Sequence, residues 1–160
     1  MRVYCLDTNA LIQPWTKYYS MIVCPSYWEI LDRLAQDQIV FCTSEVGREI
    51  EKVDEGLYAW VKQRPYLIRD VDAQVMTHLR NILQDYPRLV DTRKSRSMAD
   101  PWVIAHAIAE KAVVVTKEEP SNGKSNRVKI PDVCQHLGIR WINDYRFVEE
   151  LGIRFTASLQ

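Results

Sequence analysis

Ala112-Val113-Val114-Val115-Thr116 is followed at once by Lys117-Glu118-Glu119. Three consecutive valines leave the segment no polar face, so it reads as a strand buried on both sides. Strands of that kind belong to parallel sheets covered by helices. Working outward, three more short apolar runs read as strands: Arg2-Val3-Tyr4-Cys5-Leu6, Ile39-Val40-Phe41-Cys42 and Ile139-Arg140-Trp141-Ile142.

The segments between them carry helical signals. A stretch from Ala10 is expected to end near Pro14, which cannot continue a helix. Ser26 with Glu29 three residues on reads as a capping box for a helix to about Asp37, and Thr43-Ser44 as the cap of the helix carrying Glu45, Glu49 and Glu51. From Asp54 to Gln84 the apolar spacing is helical, broken at Pro65. Asp100-Pro101 opens a helix to about Lys111. Pro131 begins a short helix that Gly138 ends, and Asp144 caps a last one reaching Gly152. Strands alternating with helices predict an α/β fold around a parallel sheet. No linker divides residues 1–160, so one domain is expected.

Composition narrows the function classes. The 21 basic and 21 acidic residues balance, which argues against gripping long duplex nucleic acid through overall charge, while leaving room for a local basic patch. No apolar run approaches the roughly 20 residues of a membrane helix. The N-terminus turns acidic at Asp7, too soon for a signal peptide, so a cytoplasmic protein without membrane association is expected. Cys5, Cys24, Cys42 and Cys134 lack paired spacing for zinc or redox chemistry and read as buried thiols.

Ligands of an open parallel sheet bind at the carboxyl ends of its strands, near the switch in strand order. Asp7 directly follows the first strand, and Glu118 follows the valine strand; Glu49 lies on the helix after the second strand, and Asp100 starts the helix before the valine strand. All four can face one edge. Carboxylates sharing a site repel and demand a proton or a cation. A hard divalent ion with oxygen ligands answers that demand, and Mg²⁺ or Mn²⁺ suits phosphodiester hydrolysis. Each residue has a plainer reading as well: Asp7 and Asp100 as helix caps, Glu49 and the Glu118-Glu119 pair as solvated side chains. Glu51 lies about 200° around the helix from Glu49 and cannot share its face. The interaction of Glu45 with the helix dipole explains it without a ligand role, and His106 points elsewhere than Asp100.

These residues resemble the PIN-domain nucleases over about residues 1–150. Asp7-Thr8-Asn9 after the first strand looks like the family's opening signature, and Ser44-Glu45-Val46-Gly47-Arg48-Glu49-Ile50 like the helix supplying its second acid. Ala99-Asp100-Pro101-Trp102-Val103-Ile104-Ala105 resembles the third-acid helix, and Val113-Val114-Val115-Thr116-Lys117-Glu118 the strand ending in Thr-x-acid. Together with Lys129-Ile130-Pro131-Asp132-Val133-Cys134, the Ala99–Trp102 stretch is similar to a prokaryotic subgroup related to VapC-type toxins. The resemblance implies a three-layer PIN-like α/β fold with a parallel sheet of about five strands. It further implies a Mg²⁺ or Mn²⁺ centre on Asp7, Glu49, Asp100 and Glu118, holding one ion or two, and endoribonuclease activity. A homodimer and an antitoxin partner belong to the same expectation. Two departures stand out: the fourth acid is glutamate where the toxins usually carry aspartate, and the segment from Asp54 to Ser97 is long for a minimal toxin. Glu118 fits Thr-x-acid better than Glu119.

On this reading Thr8 and Asn9 fix Asp7 and reach substrate phosphate, with turn and cap chemistry as the alternative. Arg93, Lys94 and Arg96 suit RNA phosphates or a solvated loop. Trp15, Tyr18, Tyr19 and Trp102 suit base stacking, core packing or a dimer interface. A phosphorylatable receiver-like domain is disfavoured, because Asp7 is single where such a domain needs an acid pair. A PIN-like module that binds RNA or protein without cutting is the stronger rival.

Overall fold

The computed structural model describes residues 1–90, 98–123 and 127–160. Five strands, β1 (Tyr4–Leu6), β2 (Val40–Thr43), β3 (Ile68–Arg69), β4 (Val113–Val115) and β5 (Trp141–Ile142), form a sheet in the order β3-β2-β1-β4-β5. Every pairing is parallel. The central strands β1, β2 and β4 are buried along their whole length, as expected for a sheet covered on both faces. Eight α-helices flank it among the described residues: α1 (Thr8–Gln13), α2 (Pro25–Gln36), α3 (Ser44–Val53), α4 (Glu55–Lys62), α5 (Ala73–Asp85), α6 (Asp100–Glu110), α7 (Ile130–Leu137) and α8 (Asp144–Glu150).

The register fixes where the functional edge lies. Leu6 stands beside Val115, and the Asp7 N–H donates to the Val115 carbonyl at 2.9 Å. The next residue of the neighbouring strand, Thr116, donates its N–H to Ile142 at 2.9 Å. The chain leaves β1 for β2 on one side, while β4 lies on the other, so strand order switches between β1 and β4. Asp7 and Thr116 stand at the carboxyl end of that switch.

Helix α6 packs on β1, β2 and β4 and against α5. It buries Pro101, Val103, Ile104, Ala105, His106 and Ala107, the pattern of a helix enclosed by protein. The α3 start follows its sequence signal: the Thr43 hydroxyl accepts the Val46 N–H at 3.1 Å. Gly138, at φ 70°, closes α7 in the left-handed conformation that costs glycine least.

Several local expectations give way to backbone context. Pro14 does not stop the first helical stretch; a π-helical turn (Pro14–Tyr18) carries it onward. Pro25 takes the first helical position of α2, so Cys24 is the N-cap and Ser26 caps nothing. Asn143, not Asp144, caps α8, accepting the Arg146 N–H at 2.8 Å. The continuous helical pattern from Asp54 to Gln84 resolves into α4, a 3₁₀ turn (Pro65–Leu67), β3 and α5. Asp54 and Asp72 cap the two helices by accepting from Leu57 and Val75. Cys5, Cys42 and Cys134 are buried, Cys24 is partly buried, and all four are free thiols. No helix among the described residues is long and apolar enough to cross a membrane.

Candidate active site at the carboxyl edge of the sheet

Asp7, Thr8, Asp100 and Thr116 belong to the small set of polar side chains buried among the described residues. Burying a polar group is costly unless its hydrogen bonds are met; Asp7, Thr8 and Thr116 meet theirs among themselves and with Glu49, and Asp100 is paired with Arg127. Asp7 caps α1: one carboxylate oxygen accepts the Thr8 N–H and the other the Thr116 hydroxyl, both at 2.8 Å. The Thr8 hydroxyl donates to Glu49 at 2.6 Å, and the other Glu49 oxygen accepts the Ala99 N–H at 2.9 Å. That bond ties α3 to the residue before Asp100. Asp100 occupies the first turn of α6, ahead of Pro101, and is 4% exposed.

Glu118 reaches the same place from the connection after β4. Its N–H donates to the Thr116 hydroxyl at 3.1 Å, and its carboxylate accepts the Ile130 N–H at the start of α7 at 3.0 Å. The N-terminal end of a helix favours that negative charge. Arg127 completes the arrangement, one guanidinium nitrogen lying 3.4 Å from both Asp100 and Glu118. Asn9 holds the strand end rather than Asp7: its side-chain oxygen accepts the Lys117 N–H at 2.8 Å.

A cleft of about 810 Å³ opens over these groups, lined among others by Asp7, Thr8, Asn9, Glu49, Asp100 and Glu118. The expected residues therefore meet in one place, while Glu119 is exposed outside it. Glu45 and Glu51 also line the cleft, although α3 turns Glu51 away from Glu49, and Glu45 is paired with Arg48. His106 lies buried against Phe41, away from the cleft. Trp15 packs edge-on against Trp28, and Tyr18 donates to Asp144. Tyr19 stacks on Tyr27, and Trp102 joins the core margin. Arg93, Lys94 and Arg96 lie outside the described residues. Sequence reasoning missed Arg48, Lys52 and Arg127, which line the cleft. No spacing marks them; each is an ordinary basic residue until the fold brings it to the acids.

Burial, then repulsion from Glu118, pushes the Asp7 carboxyl up to about 7. Burial also drives Asp100 well above the usual carboxylate range, with Asp7 and Glu118 adding to the rise and Arg127 opposing it. Among the described residues, the donors to Asp7 and to Glu49 are neutral. Among the described residues, Arg127 is the cation in contact with these acids, and it touches two of the four. The donor set is all oxygen and carries excess negative charge, which fits a hard divalent cation such as Mg²⁺ or Mn²⁺. As the side chains stand, no three His, Cys, Asp or Glu groups among the described residues are gathered closely enough to hold an ion.

Solved structures resemble this chain as a whole. A chain in the structure of VapBC-1 from nontypeable Haemophilus influenzae matches with a TM-score of 0.52 and 18% identity, over 89% of this chain and 98% of that one. A chain in the structure of VapBC2 from Rickettsia felis, bound to a DNA fragment from its promoter, matches with a TM-score of 0.51 and 20% identity, over 88% and 98%. At those identities the likeness establishes the three-layer PIN-like α/β fold. No curated protein matches the sequence. A family model described as a domain of unknown function (DUF4411) matches residues 4–155, nearly the whole chain, and the protein belongs to that family.

Proposed function

We propose that the protein is a metal-dependent endoribonuclease that hydrolyses RNA phosphodiester bonds, working as the toxin of a toxin–antitoxin pair. The observation that carries the reading is the convergence of Asp7, Glu49, Asp100 and Glu118 on one cleft at the carboxyl edge of the sheet. The VapBC assemblies that share the fold support an antitoxin partner, and the motif resemblance supports the VapC-related subgroup, a homodimer and the cytoplasm. Asp7, Glu49, Asp100 and Glu118 would hold Mg²⁺ or Mn²⁺, which when bound supplies a water activated at neutral pH and stabilises charge on the phosphoryl oxygens.

The protein's own groups do the orienting. Thr116 fixes one oxygen of Asp7, and Thr8 fixes Glu49, so two carboxylates from different elements keep their directions without a cation. Arg48 and Lys52 on the wall of the cleft suit RNA phosphates. Thr8 and Asn9 sit on the floor beside Asp7, within the same cleft as an incoming phosphate.

A second reading, a PIN-like module that binds RNA or protein without cutting, is favoured by one observation: Arg127 pairs with two of the four acids. Incubating total RNA and purified tRNA with wild type and Asp100→Asn, in Mn²⁺, Mg²⁺ or EDTA, separates the two. Cleavage that needs metal and falls by about 100-fold or more in Asp100→Asn is expected, in the range of losing a main charge-stabilising group. Cleavage unchanged by the substitution, or RNA binding without any cleavage, would overturn the nuclease reading.

A further inference from the structure

Arg127 is the only residue of the cleft that touches two of its carboxylates as a cation among the described residues. Its placement is built into the chain. The connection from β4 to α7 is tied at Ser121 and at Lys129 by Asp132, whose two oxygens accept their N–H groups at 3.0 and 2.9 Å. The same connection delivers Glu118, held by the Ile130 N–H at 3.0 Å. Arg127 and Glu118 therefore arrive together, on one strap, opposite an Asp100 supplied by a different helix. Asp100 is nearly buried, with its side chain 6% exposed, and Glu118 is at 18%.

We propose that Arg127 is the counter-ion of the metal-free site and competes with the divalent ion for Asp100 and Glu118. This rests on the metal-dependent reading above. One guanidinium nitrogen of Arg127 lies 3.4 Å from an oxygen of each acid, so a single charge offsets both carboxylates. That contact gives Asp100 and Glu118 a counter-charge while four acids line one cleft. It also accounts for how a cluster with so much repulsion folds before metal arrives. Entry of a divalent ion replaces one positive charge with two, and Arg127 must leave both carboxylates. Affinity for the ion is consequently set against the arginine, and the protein releases metal more readily than its acids alone would allow.

Calorimetric titration of Mn²⁺ into metal-free wild type, Arg127→Gln, Arg127→Lys and Asp100→Asn tests this, with melting temperatures read in EDTA and in saturating Mn²⁺. Arg127→Gln is expected to bind Mn²⁺ at least about tenfold tighter than wild type, to melt lower in EDTA and to gain more on adding Mn²⁺. Arg127→Lys keeps the charge but on a shorter side chain that loses reach to both acids at once, so its binding should tighten by only about threefold. Asp100→Asn should lose binding. Equal or weaker binding by Arg127→Gln, with Asp100→Asn still abolishing it, overturns the counter-ion role and leaves the metal centre intact. If Arg127→Gln does not fold even in Mn²⁺, Arg127→Lys decides on the same criterion. Binding by none of the four proteins overturns the metal centre and this role together.

Discussion

Asp7 concentrates the chemistry of the site in one side chain. Its carboxylate is buried, receives only neutral donors among the described residues, and is raised to about 7 by burial and by Glu118. A carboxyl raised in the folded state contributes stability at low pH that is lost as pH climbs through the folded value. Replacing it with a neutral isostere should therefore help the metal-free fold where the acid is ionised. Asp7→Asn is expected to gain about 1–2 kcal/mol at pH 8 in EDTA, with little gain below the ordinary carboxylate range. The same variant should show no thermal shift with Mn²⁺. Melting curves at several pH values, with and without Mn²⁺, check both halves. At this scale the acids were readable from sequence because Asp7 and Glu118 closely follow strands while Glu49 and Asp100 lie in the early turns of helices. Arg127 was not: it lies in a connection whose course depends on Asp132 and Ile130, residues whose backbone partners no spacing rule reveals.

Elements turn those side chains into a site by where they begin. The β4–α7 connection is the clearest case, since it presents Thr116, Glu118 and Arg127 within a dozen residues. Asp132→Ala should release both backbone N–H groups it holds, costing about 1–2 kcal/mol by chemical denaturation and lowering activity by loosening Glu118. Helix α6 carries a second test. Burial holds the His106 imidazole below its usual value, and no side chain among the described residues hydrogen-bonds either ring nitrogen. A histidine kept neutral by the fold stabilises it at pH above the unfolded value of about 6.5 and loses that contribution as pH falls below it. His106→Gln should accordingly flatten the acid side of the metal-free stability profile. Elements with long apolar runs or strong caps were evident from sequence. Strand β3 was not, because two residues after a 3₁₀ turn carry no periodicity, and only pairing with Cys42 and Thr43 makes them a strand. The capping box at Ser26 failed for a related reason: Pro25, one residue earlier, already had the backbone angle a helix needs.

On the scale of the molecule, a chain with no net charge carries a strongly uneven field. Asp7 and Asp100 are buried at the cleft, while Arg48 and Lys52 on its lining are exposed. That division suits a polyanion drawn to the rim and a divalent ion drawn to the floor. Lys52→Ala is expected to weaken RNA binding about evenly across sequences and to reduce the salt dependence of log affinity by about one unit, measured by titration at several salt concentrations. The α/β class and four of the five strands followed from buried apolar runs alternating with helices. Strand order and the junction of β1 with β4 needed the register itself. The central claim is that the four acids form a divalent-metal centre. It is tested most directly by soaking crystals of the wild-type protein in Mn²⁺ and calculating an anomalous difference map. The account predicts a peak bounded by Asp7 and Asp100, with Arg127 withdrawn from its 3.4 Å contacts. A cleft without a peak at saturating Mn²⁺, and with Arg127 still between Asp100 and Glu118, would contradict it.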